Sequence, residues 1–146
     1  MQTETTLIQP EDRFGFYKHF NNIELFMLIE QSLYNIANQQ ISGYSGGHWH
    51  FHFSNEYQVP FFELNSDEPI HIDVGSNGFK GDVSSMVGSL ALTSVLYNRC
   101  CWHFHEKGEE QLSKLFIRYF NALSTLAAER LEAGQKEYIE FFKIID

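Results

Sequence analysis

Three groups of residues in this chain have types and spacings that could do chemistry. The segment Gly43-Tyr44-Ser45-Gly46-Gly47 is a literal G-x-S-x-G. In hydrolases that serine sits on a sharp turn leaving a strand and starting a helix, where the next backbone N–H helps bind an oxyanion. His48, His50 and His52 alternate along one short stretch, and Cys100, Cys101, His103 and His105 crowd another; both carry the ligand types of a transition-metal site. Acidic side chains cluster at Glu63, Asp67 and Glu68.

Each group depends on the elements that hold it. Around Ser45 the order is reversed: the pattern predicts a helix before the loop and a strand after it. That argues against a serine nucleophile, and against a phosphate cradle, which also lacks its Lys-Ser/Thr pair. Along a strand, residues i and i+2 lie about 6.6 Å apart and i and i+4 about 13 Å. Two neighbouring histidines could share an ion, but a third ligand would have to come from a neighbour such as His71 or Asp73, so that His48, His50 and His71 stand as the alternative to no metal site at all. The Cys/His group lacks the C-x-x-C spacing of common zinc sites. No cofactor is implied. Glu63, Asp67 and Glu68 fall near a turn and read as solvated.

Positions Asn22 to Asn38 show three- and four-residue apolar spacing, which predicts an amphipathic helix capped by Asn21 or Asn22. Period two then takes over. Trp49, Phe51 and Phe53 alternate with the histidines; Val59–Leu64 is a second strand, with Pro60 suited to an edge; Ile70, Ile72 and Val74 mark a third. Asn77-Gly78 signals a hairpin returning through Phe79–Val83. A small-residue helix from Ser85 to about Asn98 follows, capped by Asp82 or Ser84, then a connector at Trp102–Glu106. A long helix over Glu109–Glu132 and a short one over Tyr138–Ile145 close the chain. The expected fold is α+β: a four-stranded antiparallel meander with helices on one face, one domain over residues 1–146, with residues 1–12 loose.

Size and composition agree. A chain of 146 residues with 43% apolar side chains, 14 Phe among them, builds a core without disulfides. No apolar run spans a bilayer and no basic segment precedes an apolar one at the start, so neither a membrane protein nor one with a classical secretion signal is expected. The adjacent Cys100 and Cys101 read as reduced thiols in a cytoplasmic protein. Nineteen acids against ten bases give a net charge of −9. No Lys or Arg lies between Lys18 and Lys80, while Glu24, Glu30, Glu56, Glu63, Asp67, Glu68 and Asp73 do. Direct nucleic-acid binding is disfavoured. The acidic window reads first as a solubilising surface and second as an imitation of DNA, for which seven acids over that length are sparse.

One pattern is similar to a known family. Tyr44-Ser45-Gly46-Gly47-His48-Trp49, an aromatic strand, Pro60-Phe61-Phe62, and Ser76-Asn77-Gly78-Phe79-Lys80-Gly81-Asp82-Val83-Ser84 before a small-residue helix resemble the antirestriction family typified by ArdB and KlcA. Arg13-Phe14-Gly15-Phe16-Tyr17, His19-Phe20 and Ile144-Ile145-Asp146 resemble its ends. The second strand departs from it, with Val59-Pro60-Phe61-Phe62 where Gly-Gly-Phe-Tyr would be expected. The resemblance implies a cytoplasmic, non-enzymatic protein of mobile elements that lessens the attack of host type I restriction–modification enzymes on incoming DNA. Its oligomeric state stays open.

Read physically, the matched residues Gly46, Gly47, Trp49, Asn77, Gly78, Phe79 and Gly81 are architectural, and partner contacts are expected among Glu63, Asp67, Glu68, Asp73 and Asp82. A metal-dependent enzyme on the histidine face is the alternative.

Overall fold

The computed structural model describes residues 5–75 and 77–146. The order is β1 (Thr5–Ile8), a 3-10 segment (Pro10–Phe20), α1 (Ile23–Gln40), β2 (Trp49–Ser54), β3 (Val59–Leu64), β4 (Ile70–Val74), β5 (Phe79–Val83), α2 (Ser85–Glu106), α3 (Glu110–Arg130) and α4 (Lys136–Ile145). The class is α+β, as expected. The single four-stranded meander is not what forms. The strands make an antiparallel sheet β1-β2-β3 and a separate antiparallel hairpin β4-β5.

The split has a physical cause in α2. The edge of β3 that would have received β4 is occupied by hydroxyl groups of that helix. Ser89 Oγ accepts from the Leu64 N–H at 2.9 Å, and Ser85 Oγ donates to the Leu64 carbonyl at 2.6 Å. Thr93 Oγ1 accepts from the Phe62 N–H at 3.4 Å, and the Tyr97 hydroxyl donates to the Pro60 carbonyl. Residues 85, 89, 93 and 97 are four apart, so they form one stripe along the helix. Buried backbone groups need partners, and here side chains replace the neighbouring strand. Pro60, which has no N–H to offer, sits on that edge.

Helix α2 also holds the second sheet. At Gly88 a Cβ would lie 2.5 Å from Ile70 Cδ1 and 3.0 Å from Ile72 Cδ1. A side chain at this position would have to displace those isoleucine side chains, so the glycine lets the helix lie this close to β4. Asn22 and Ser84 are the N-caps of α1 and α2, accepting from the Leu25 and Val87 N–H groups at 2.9 and 3.2 Å. The connector expected at Trp102–Glu106 is instead the end of α2. Between Gly88 and Gly108, whose φ is +76°, no Gly or Pro occurs to end the helix at the connector.

Residues 5–12, expected to be loose, are structured: Thr5–Ile8 pairs with Phe51–Ser54 of β2, and the 3-10 segment begins at Pro10. Residues 1–4 of that expectation lie outside the described residues. The strand is short, and its pairing with β2 supplies what its own composition does not signal. Phe16 and Phe20 from the 3-10 segment enter one continuous core with Phe26, Phe51, Phe62, Tyr97 and Phe116, all buried. The Tyr119 hydroxyl donates to the His19 carbonyl and ties this segment to α3.

The hairpin turn also differs from expectation. Val74 pairs with Phe79, so four residues form the loop, and of Asn77 and Gly78 only Gly78 has positive φ, +79°. Ser76, part of the matched stretch, lies outside the described residues. Asn77 has a different task. Its Nδ2 donates to the carbonyls of Lys143, Ile144 and Asp146 at 2.9, 2.9 and 3.2 Å, and its Oδ1 accepts from the Phe79 N–H at 2.9 Å. It satisfies carbonyls at the end of α4 that the helix leaves without intrahelical donors.

Candidate functional site

On the outer face of the first sheet, His52 and Glu63 stand on neighbouring strands, with His52 paired to Phe61 and His50 to Glu63 in the register. His52 Nε2 and Glu63 Oε1 are 3.0 Å apart, and the His52 ring stacks on Phe61 at 4.9 Å between centroids, 6° from parallel. The Arg130 guanidinium, from the last turn of α3, lies over the same Phe61 ring, 5.9 Å from its centroid, and contacts Met86 Sδ. Glu63 is held below the ordinary carboxylate range by the His52 hydrogen bond; burial opposes this, and the charges of His52, His50 and Arg130 reinforce it. Arg130 itself is pushed down by burial, with Glu63 opposing.

A carboxylate with a depressed folded pKa stabilises the fold above its ordinary value of 4.5 and loses that contribution as pH falls through the folded value. Glu63→Gln is therefore expected to lower stability at about pH 7 while flattening its decline between about pH 5 and pH 3. Urea midpoints across that range check this; parallel acid limbs for the two proteins would contradict it.

The five carboxylates expected to meet a partner are partly gathered. Glu63 and Asp67 line one cleft of about 300 Å³ with Leu7, His50, His52 and Ser66. Glu68 and Asp82 line an adjoining cleft of about 670 Å³, between the sheets and under the loop that carries Gly43–Gly46. Four of the five thus surround the exposed turn joining β3 to β4. Asp73 does not join them: it lies farther along β4, opposite Lys80. Asp82 is exposed and bonds His71 Nδ1 at 2.7 Å.

The alternative metal set is not assembled. His48 immediately precedes β2 and His50 lies on it, whereas His71 is on β4 in the other sheet, engaged with Asp82. Among the described residues, no group of three or more His, Cys, Asp or Glu side chains is placed to hold a metal ion. His103 and His105 are in the last turn of α2, where His105 bonds Glu110 at 3.1 Å. Cys100 and Cys101 are free thiols; burial pushes Cys100 up to about 12, which leaves it unreactive at neutral pH. Ser45 is exposed in a loop between α1 and β2, the reverse of a nucleophile turn.

The architectural residues are spread over the frame of this surface. Trp49 is buried and donates through Nε1 to the Tyr44 hydroxyl at 3.0 Å, while Phe79 is half-buried. Gly46 has a φ of +95°, and a Cβ at Gly47 would meet Leu64 Cδ1 at 2.8 Å. At Gly81 a Cβ would touch only the Phe79 ring at ordinary contact distance. Arg130 escaped sequence reasoning because nothing local to α3 signals a partner on β3.

Residues 42–139, which carry both clefts, α2, α3 and most of the two sheets, match the family described as Antirestriction protein. The chain belongs to the antirestriction protein family. It is similar to KlcA of Escherichia coli, 29% identical over 134 residues covering 88% of this chain and 87% of KlcA. It is also similar to YubI of Escherichia coli strain K12, provisionally named an antirestriction protein: 28% identical over 115 residues, 77% of each chain. A solved structure from work on KlcA and ArdB superposes with a TM-score of 0.82 at 20% identity, covering 100% of this chain and 96% of that one. That work describes a novel fold and activity against type I DNA restriction systems in vivo but not in vitro. At that identity the likeness establishes the fold of this antirestriction protein.

Two features of this chain that its sequence patterning does not announce are Gly88 and the hydroxyl stripe of α2. Among the described residues, no helix of this antirestriction protein is long and apolar enough to cross a membrane.

Proposed function

We propose that this antirestriction protein, acting as a single domain in the cytoplasm, lessens type I restriction of incoming DNA by binding and interference, with no catalytic step of its own. The observation that carries this is the family match over residues 42–139, a span that includes the acidic rim around the β3–β4 turn. The type I target rests on what is described for KlcA and ArdB. Their activity in vivo but not in vitro fits a protein whose effect needs a cellular partner, met directly or through another component.

Within this reading Glu63, Asp67, Glu68 and Asp82 form the contact rim, and Asp73 extends it along β4. Asp67, Glu68 and Asp82 are exposed at the edges of the two clefts, so the carboxylates suit a partner's basic surface. Of the matched residues, Gly47 and Trp49 adjoin the rim through Leu64 at the end of β3. Sparse charge makes this a protein contact rather than a copy of DNA, which carries about one charge per 1.7 Å of axis.

The test is transformation of a type I restricting host with unmodified plasmid in cells making the protein. Asp67→Lys with Glu68→Lys is expected to cut the gain in transformants by at least about tenfold, because reversed charge at a contact costs several kcal/mol. Both side chains are exposed, so the fold is retained. Full protection by the doubly reversed protein would remove the rim as the acting surface.

A further inference from the structure

The opposite side of the molecule carries a cleft of different charge. About 540 Å³ in volume, it lies between the end of the 3-10 segment, the β2–β3 turn and the first half of α3. Its polar lining is Lys18, His19, Asn21, Gln58, Gln111 and Arg118. Acids outnumber bases 19 to 10 in this chain, yet among the described residues no Asp or Glu lines the cleft. Glu110, next to Gln111 in sequence, is turned to His105 at 3.1 Å.

The backbone of the cleft is unusual as well. Among the described residues, Asn21 (φ +78°) and Gln58 (φ +53°) are the two non-glycine residues with positive φ, and both line this cleft. Such conformations are costly for residues with a Cβ and persist where the surroundings hold them, often at binding sites. The walls are indeed held. His19 stacks on Phe53 at 4.3 Å, 16° from parallel, its carbonyl accepts from Tyr119, and Arg118 lies 5.3 Å from the Tyr119 ring centroid. The cations are thereby mounted on rigid elements.

We propose that this cleft binds the phosphoryl group of a small, nucleotide-sized molecule, with Arg118 and Lys18 on the phosphate oxygens and the amides of Asn21, Gln58 and Gln111 as further donors. A planar guanidinium and an ammonium are the side chains that pair best with phosphate. The volume falls in the range of small-molecule sites. Phe53, Tyr119, Leu112 and Leu115 add an apolar wall suited to a ring. A long nucleic acid fits less well, since it needs many cations along its track, and this chain carries a net charge of −9. His19 agrees with the field expected of the cleft: burial and then the Lys18 charge push its pKa down, and a bound anion would oppose that.

The experiment is titration of the whole chain with inorganic phosphate, adenosine monophosphate and a short single-stranded oligonucleotide at matched ionic strength, followed by the NMR signals of the His19 ring. Phosphate and the mononucleotide are expected to give saturable shifts and a raised His19 pKa, with the mononucleotide binding tighter. Arg118→Gln and Lys18→Gln should each weaken binding by about tenfold, Arg118→Lys should recover part of it, and Lys136→Gln should change nothing. Lys18 and Arg118 are exposed, so melting temperatures should not move. An absence of saturable shifts, or unchanged affinity in Arg118→Gln, would overturn the proposal. Preference for the oligonucleotide over the mononucleotide would overturn the nucleotide-sized ligand.

Discussion

Replacing Gly88 by leucine is expected to be among the most damaging single changes to this fold. Gly88 is buried on α2, and even a methyl group there would overlap Ile70 Cδ1 at 2.5 Å and crowd Ile72. Overpacking a close-packed site costs about 1–3 kcal/mol and occasionally more; a four-carbon side chain wedged between a helix and a hairpin belongs at the upper end. At this chain length about 3 kcal/mol corresponds to a fall in melting temperature of roughly 10 °C.

Gly88→Ala separates packing from helix propensity. Alanine is the better helix former by about 1 kcal/mol, so a loss of stability in Gly88→Ala isolates the collision with Ile70. Adding Ile70→Val removes Cδ1, and the double variant should recover stability relative to the sum of the single changes. A Gly88→Leu protein as stable as the wild type would show that α2 and β4 do not lie as described.

The second large effect belongs to the hydroxyl stripe. Ser89→Ala with Thr93→Val keeps the volume of α2 nearly unchanged but removes both acceptors facing β3. The Leu64 and Phe62 N–H groups would then be buried without partners. An unsatisfied buried polar group costs about 1–3 kcal/mol, so the pair should lose roughly 2–6 kcal/mol by the same principle. The loss has an address: amide exchange should accelerate most at Leu64 and Phe62. Ser94 is a useful control, because its hydroxyl bonds the Leu90 carbonyl of its own helix at 2.9 Å. Ser94→Ala should leave exchange in β3 unchanged. Equal protection of Leu64 and Phe62 in the double variant would contradict the account of why the strands separate.

These effects also show what could be read from the sequence. The expected strands Val59–Leu64, Ile70–Val74 and Phe79–Val83 have the boundaries observed, because the apolar run of β3, the alternation along β4 and the Asn77-Gly78 hairpin signal before β5 are all local. The N-caps at Asn22 and Ser84 were legible for the same reason. Sheet membership was not. Whether β4 pairs with β3 depends on what else competes for the β3 edge, and the competitor is a set of hydroxyls on a helix some twenty residues downstream. In sequence, Ser85, Ser89, Thr93 and Tyr97 look like ordinary members of a small-residue helix; their four-residue spacing was the available clue. Strand β1 was missed because Thr5–Ile8 is too short to show alternation and acquires meaning only beside β2.

The surface was partly legible. Charge patterning singled out Glu63, Asp67, Glu68, Asp73 and Asp82 near the hairpins; four of them surround one turn, and Asp73 stands toward the other end of the β4-β5 hairpin. It could not show that Glu63 is engaged by His52 with Arg130 nearby, since that grouping joins β2, β3 and the end of α3. The cationic cleft was hidden for a similar reason: Lys18 and Arg118 meet only after the 3-10 segment docks on α3.

The central claim is that this chain protects incoming DNA from type I restriction through its exterior. Its most direct test is the plating efficiency of unmodified phage on a host with an active type I system, with and without the protein present in soluble form. The account predicts a rise on the order of tenfold or more, and no change on an otherwise identical host lacking the system. An unchanged plating efficiency with the soluble, folded protein present would contradict it.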